Sequence, residues 1–206
     1  MKIVIALCFS VFASAVSAQG LAPDAQVKDI TNEVIGIIKQ DKDIQAGNQK
    51  KINELVDAKV LPHFNFSRMT ALAVGRNWPK ANAEQQKILT NEFRTLLVRT
   101  YSSALSTYKN QVIEFKPLRA TAGDTEVMVR TQVKQPGAES ISIDYSMEKT
   151  PSDWKVYDIV VGGVSLVTNY RETFNVQIRD GGVDGLIKSL ADKNRSLESQ
   201  AGSKPK

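Results

Sequence analysis

Between Trp154 and Arg171 the chain changes its hydrophobic period, and that change limits the folds open to it. Trp154, Val156, Ile159, Val160 and Val161 crowd β-branched and aromatic residues into one short run, the composition of a buried strand. Gly162-Gly163 follows, a pair suited to a bend or a close backbone approach. Beyond it Val167, Tyr170, Phe174 and Ile178 recur every three or four residues, one face of a helix. A strand that runs through two glycines into an amphipathic helix calls for a sheet with helices laid against it.

The flanking segments supply both layers. Val27, Ile30, Val34, Ile37 and Ile38 predict a first helix over 23–39, with Pro23 and Asp24 in its first turn. Asp41 to Gly47 reads as a polar break. Ile52, Leu55, Val56 and Val60 predict a second helix that ends before Pro62. A third spans Phe64 to Val74, with Gly75 as its C-cap. The longest helix is expected from Asn82 to Tyr108, where Leu89, Phe93, Leu97, Tyr101, Leu105 and Tyr108 hold the 3.6-residue period.

Three strands then lead into Trp154. Val112 to Leu118 is the first; in the others Val127, Val129, Thr131 and Val133, then Ile141, Ile143, Tyr145 and Met147, alternate with polar residues. Turn residues at Gly123-Asp124, Pro136-Gly137 and Pro151-Ser152-Asp153 make the set an antiparallel meander. After Gly181-Gly182 a last helix carries Val183, Leu186, Ile187 and Leu190. The order predicts an α+β class: a curved, four-stranded antiparallel sheet with helices packed on one face. One domain over 19–195 is expected, followed by a polar, disordered tail over 196–206.

The N-terminus reads as an export signal. Lys2 precedes the apolar run Ile3 to Phe12, and Val16 and Ala18 occupy the small-residue places of a cleavage site after Ala18. Residues 1–18 are therefore expected to be removed, and with them Cys8, the only cysteine. The exported chain has no disulfide, so its core must hold it alone. Leu7 is too large for the usual lipid-attachment signal at Cys8. A net charge of +5 with no basic block argues against nucleic-acid binding and permits weak attraction to anionic lipid.

Catalytic motifs are sparse. His63 is the only histidine, which excludes a zinc site built from several histidines, and no phosphate-binding glycine loop is present. Asp144 and Asp158 on the sheet could form an acid–base pair, or sit at an edge or against an arginine. The apolar faces, with Met69, Trp78, Phe93, Tyr101, Tyr108, Met147, Tyr170 and Phe174, fit either a filled core or a cavity for an apolar ligand. A carrier, an enzyme on a small apolar substrate and a structural module with a filled core all stay open.

The wording of several segments narrows the choice. Gly163-Val164-Ser165-Leu166-Val167, Asn169-Tyr170-Arg171 with Phe174, the later Asp184-Gly185-Leu186-Ile187, Ala73-Val74-Gly75-Arg76-Asn77-Trp78, and Phe93 with Thr100-Tyr101 resemble the MlaC, or toluene-tolerance, family. The likeness covers most of residues 50–195. The resemblance implies a soluble, monomeric periplasmic carrier of phospholipid with no catalytic or metal site and no cofactor besides its cargo. It implies an outer-membrane lipoprotein complex and an inner-membrane ABC transporter as partners. Laid onto the predicted faces, it implies an acyl-chain cavity lined by Met69, Leu72, Val74, Trp78, Phe93, Leu97, Tyr101, Leu105 and Tyr108 from the helices. Val127, Val129, Ile143, Tyr145, Met147 and Val161 would line it from the sheet, and Val164, Leu166, Val167, Tyr170 and Phe174 from the segment after the glycines. Arg76 and Arg171 are the candidates for headgroup or partner contact, with a local acid such as Glu172 as the alternative partner of Arg171.

Overall fold

The computed structural model of the chain describes residues 21–121 and 123–202. The expected signal peptide with Cys8 and the cleavage site lies outside them, as do residues 203–206. No helix among the described residues is long and apolar enough to cross a membrane.

The sheet is an antiparallel meander in the order β1 (Val112–Phe115), β2 (Glu126–Lys134), β3 (Ile141–Lys149), β4 (Trp154–Val161), β5 (Val164–Ser165). It has five strands where four were expected. After Val161 the chain doubles back and pairs Val164 with Val161 and Ser165 with Val160 before any helix begins. Gly162 and Gly163 have φ of 57° and 85°, the two positive values that a two-residue type I′ hairpin requires. No atom lies within 4 Å of a Cβ built on either, so the pair serves backbone shape and not a close approach. The first strand stops at Phe115, short of Leu118.

Burial separates the two faces of β2: Val127, Val129 and Thr131 are buried, while Glu126, Met128 and Arg130 are exposed. Pairing carries this inner face across the sheet, from Val127 to Met147 and Val156, from Val129 to Tyr145 and Ile159, and from Thr131 to Ile143 and Val161. A register shift at Ser146/Met147 marks a β-bulge opposite Tyr157. β5 pairs with only the last residues of β4, and the free edge at Val156 is met by Phe64 in a parallel bridge. There Asn65 N–H donates to the Val156 carbonyl at 2.8 Å, which closes an otherwise open edge.

Six α-helices accompany the sheet among the described residues. α1 (Pro23–Gln40) crosses its inner face at Val27, and the Gln26 amide is pinned to Trp154. Gln26 Nε2 donates to the Trp154 carbonyl at 2.8 Å and Gln26 Oε1 accepts from Trp154 N–H at 3.2 Å. The expected break after α1 holds a short helix, α2 (Lys42–Gln45), capped by Asp41, before α3 (Gln49–Lys59). The third predicted helix starts later than Phe64: α4 is Phe66–Val74, with Asn65 as N-cap and Gly75 at φ 61° as C-cap. His63 is half-buried in the 3-10 turn Leu61–His63.

The predicted helix from Asn82 to Tyr108 is cut in two. α5 is Ala83–Tyr101, opened by a capping box between Asn82 and Gln85, and Ser102–Thr107 tightens into a 3-10 segment. α6 (Leu166–Gly202) is longer than α5 and breaks only at Gly182, where φ is 67° and ψ is −170°. Of the tail expected to be disordered over 196–206, the described part to Gly202 continues this helix, and Leu197 packs on the core. Seam bonds explain why: Asn194 Nδ2 donates to the Glu92 carbonyl at 2.9 Å, and Arg99 bonds the Asn194 carbonyl and pairs with Glu198. A polar composition at the surface of a helix is ordered here by the helix it lies against.

The helices do not form one layer on one face. α1 covers the inner face, whereas Arg68 of α4 reaches Glu126 and Glu148, which alternate with the inner-face residues Val127 and Met147. Asp158, of the same outer parity, accepts from Ser165 Oγ and from Val167 N–H at 3.1 Å, capping the start of α6. Fully buried side chains fall accordingly into three clusters.

Candidate functional site

A domain of this size ordinarily builds one contiguous core with smaller satellites. Here the helical cluster is centred on Phe93, whose ring meets Tyr170 at 5.1 Å and Phe174 at 5.2 Å, both edge to face. A second cluster lies on the inner face of the sheet around Val127, Val129, Met147 and Val156, under Val27. A third gathers Val34, Ile38, Ile44, Ile52 and Leu55 of α1, α2 and α3, with Leu105 and Tyr108 against it.

The candidate lining residues are distributed over all three. Met69, Leu72, Val74, Trp78, Phe93, Leu97, Val167, Tyr170 and Phe174 belong to the helical cluster. Val127, Val129, Tyr145 and Met147 belong to the sheet cluster, and Leu105 and Tyr108 to the third. Ile143 and Leu166 are half-buried outside these clusters, while Tyr101, Val161 and Val164 are exposed. The structure therefore does not bring the list together as one wall. Periodicity marks the apolar side of each element and does not say that these sides face different neighbours.

What the inner face of the sheet does show is a gradient. At one end Met147 is fully buried (0 %). Along the same face Ile143 is half-buried, and at the far end Val161, Ile141 and Val164 are exposed by 38 %, 51 % and 56 %. Register places these three together: Val133 pairs with Ile141, Ile143 with Val161, and Val161 with Val164. An apolar sheet face thus runs from a closed end under α1 to an open, apolar rim. Tyr145 stands midway, and burial raises its phenol pKa above the ordinary value. Missing from the candidate list was Ile141, although its place at the start of an alternating strand was available to the same rule.

Polar candidates have local occupations. Asp158 caps α6, and Asp144 shares its outer parity, so neither carboxylate points along the apolar face. Among the described residues Arg171 is paired with no acid: its Nε and Nη2 donate to the Leu72 carbonyl at 3.1 and 2.9 Å. Burial, and then Tyr101, push the Tyr170 phenol up to about 12, so it is neutral across the physiological range. Among the described residues no group of three or more His, Cys, Asp or Glu side chains is placed to hold a metal.

Comparison with known proteins gives this geometry a context. A solved phospholipid-binding protein from Ralstonia solanacearum, in complex with a phospholipid, superposes with a TM-score of 0.81 at 41 % identity, over 86 % of this chain and 99 % of that one. The intermembrane phospholipid transport system binding protein MlaC of Haemophilus influenzae is 27 % identical over 158 residues, 72 % of this chain and 73 % of the relative. Toluene tolerance protein ttg2D of Pseudomonas putida is 23 % identical over 181 residues, 87 % of this chain and 80 % of the relative. A family model, MlaC protein, matches residues 28–192. On that match, the chain belongs to the MlaC family.

Proposed function

We propose that the protein is a soluble periplasmic phospholipid carrier without catalytic activity, working as a monomer between an outer-membrane lipoprotein complex and an inner-membrane ABC transporter. The observation that carries this reading is the inner sheet face, apolar apart from Thr131 and the Tyr145 phenol, closed at Met147 and open at Ile141, Val161 and Val164. The acyl chains would lie along Tyr145 and Ile143 toward that rim. A relative 41 % identical was solved with phospholipid bound, which supports the same cargo here.

The energetics favour such a device. Two acyl chains carry roughly 30 methylenes, so exposing them to water costs on the order of 24 kcal/mol at about 0.8 kcal/mol each. Unaided crossing of an aqueous space is negligible against that figure. A carrier needs a dry slot for the chains and an open end that leaves the charged headgroup in water, where no burial penalty arises. Release from so much apolar contact is slow, and this is the step an energy-consuming transporter would serve.

Organic extraction of the purified protein followed by mass spectrometry tests the reading. Phospholipid in near-stoichiometric amount is expected. Protein that is lipid-free as isolated and takes up no phospholipid from vesicles would exclude it; a small metabolite in its place would point to an enzyme.

A further inference from the structure

Where α4 ends and α6 passes it, two adjoining depressions share Arg76 and Asn175. One, of about 420 Å³, is flanked by Lys80, Arg179 and Val176; the other, of about 580 Å³, by Leu72 and Arg171. Together they carry four cationic side chains against one carboxylate, Glu172. The Arg171 guanidinium is held by Leu72 and Arg179 is paired with Asp180, but Arg76 makes no hydrogen bond or ion pair among the described residues. Lys80 is held in place without being neutralised, since its Nζ donates to Asn77 Oδ1 at 2.9 Å. Asn77 is itself buried and donates to Asn175 Oδ1 at 3.0 Å, so the floor of the groove is ordered before anything binds. Val176, exposed by 40 %, adds an apolar contact at the edge.

An ordered concave surface with unneutralised cations and an exposed valine complements a segment that is acidic and partly apolar. A bilayer is flat at this scale and does not enter a concavity between a helix end and a crossing helix; a peptide segment does. We infer that this groove docks an acidic, partly apolar segment of a partner protein, with Arg76 and Lys80 as its main charge contacts. The inference rests on the carrier reading for the reason a partner exists, because a carrier must be recognised where it loads and unloads.

The test uses a short labelled peptide rich in Glu with interspersed Leu, followed by fluorescence anisotropy, with its Gln-for-Glu counterpart as control. The double variant Arg76→Glu, Lys80→Glu should bind the Glu peptide at least about tenfold more weakly than the parent. Lys28→Glu with Lys87→Glu changes the net charge equally at two exposed positions elsewhere and should leave binding unchanged. Equal loss in both double variants would reduce the effect to net charge and overturn the inference. Binding to vesicles containing phosphatidylglycerol, but not to the peptide, lost on Arg76→Glu, would overturn it in favour of a membrane surface. Lipid content of the same preparations reports separately on carriage: lipid-free protein that still docks the peptide at Arg76 sinks the carrier reading and leaves the groove standing.

Discussion

Arg171 on α6 closes the end of α4 by donating two hydrogen bonds to the Leu72 carbonyl, from Nε at 3.1 Å and Nη2 at 2.9 Å. Leu72 lies in the last turn of α4, where carbonyls lack partners within the helix and the negative end of the helix dipole favours a cation. The guanidinium is thereby committed to a helix end, one residue along from Tyr170, whose ring faces Phe93. Replacing Arg171 by Ala should lower stability by about 1 kcal/mol, because the site is exposed and water partly replaces the lost bonds. Bound lipid should stay. Urea midpoints and extracted lipid measure the two effects, and lipid loss from a folded variant would mean that the charge holds the headgroup.

The open end of the sheet can be separated from the helical cluster by mutation. Ile143→Glu sets a charge on the half-buried part of the inner face, and Tyr101→Glu sets one on an exposed position at the end of α5. Both variants should fold, and Ile143→Glu should abolish lipid co-purification, because a carboxylate beside acyl chains has no partner there. Phe174→Ala behaves differently. Its ring is buried against Phe93 and Tyr170, so its loss should destabilise by about 3–5 kcal/mol through the cavity it leaves. Folded Ile143→Glu protein with a full complement of lipid would show that the chains lie elsewhere.

At the β4–β5 hairpin, Gly163→Val should destabilise by about 1–3 kcal/mol, since φ of 85° strains a β-branched residue. No atom lies within 4 Å of a Cβ built there, so the expected effect is conformational. Gly162→Asn, at φ 57°, should be nearly neutral because Asn accepts this region. Thermal midpoints of the two variants suffice. Equal midpoints would mean that the turn relaxes to another shape at no cost.

Acid should weaken one tertiary anchor of α4. Arg68 pairs with Glu126 at 2.7 Å and Glu148 at 2.6 Å, with its guanidinium 3.7 Å from the centre of the Tyr157 ring. The hydrogen bond from Arg68 holds the Glu126 carboxyl below its ordinary value of 4.5, assisted by Tyr157. A depressed folded-state pKa adds stability above 4.5 that is lost as pH falls through the lower folded value. Denaturation midpoints of the parent and of Arg68→Met should therefore differ at neutral pH and converge as the solution is acidified below 4.5. A constant difference across that range would remove the ion pairs from the account.

Local signals in the sequence were informative about elements and their ends. The alternation in 126–133 and 141–148 became paired strands with Val127 opposite Met147, because period two is a property of the strand itself. Gly75 ended α4 at positive φ and the Asn82 carboxamide opened α5, since caps depend on residues within one turn. Gly162-Gly163 was legible as a break; the two-residue strand after it was not, since two residues are too few to show a period.

Tertiary structure decided the rest. Periodicity says which side of an element turns inward and is silent about what lies opposite, so one expected cavity wall became three clusters. Phe93 meets Phe174 across 80 intervening positions only because the sheet turns the chain back between them. Asn194 orders a polar tail by reaching Glu92, and the Arg171 guanidinium bonds the Leu72 carbonyl, a partner that no local pattern indicates. Each of these partners is distant in sequence, and a contact between distant residues is set by the packing of whole elements, which no local period encodes.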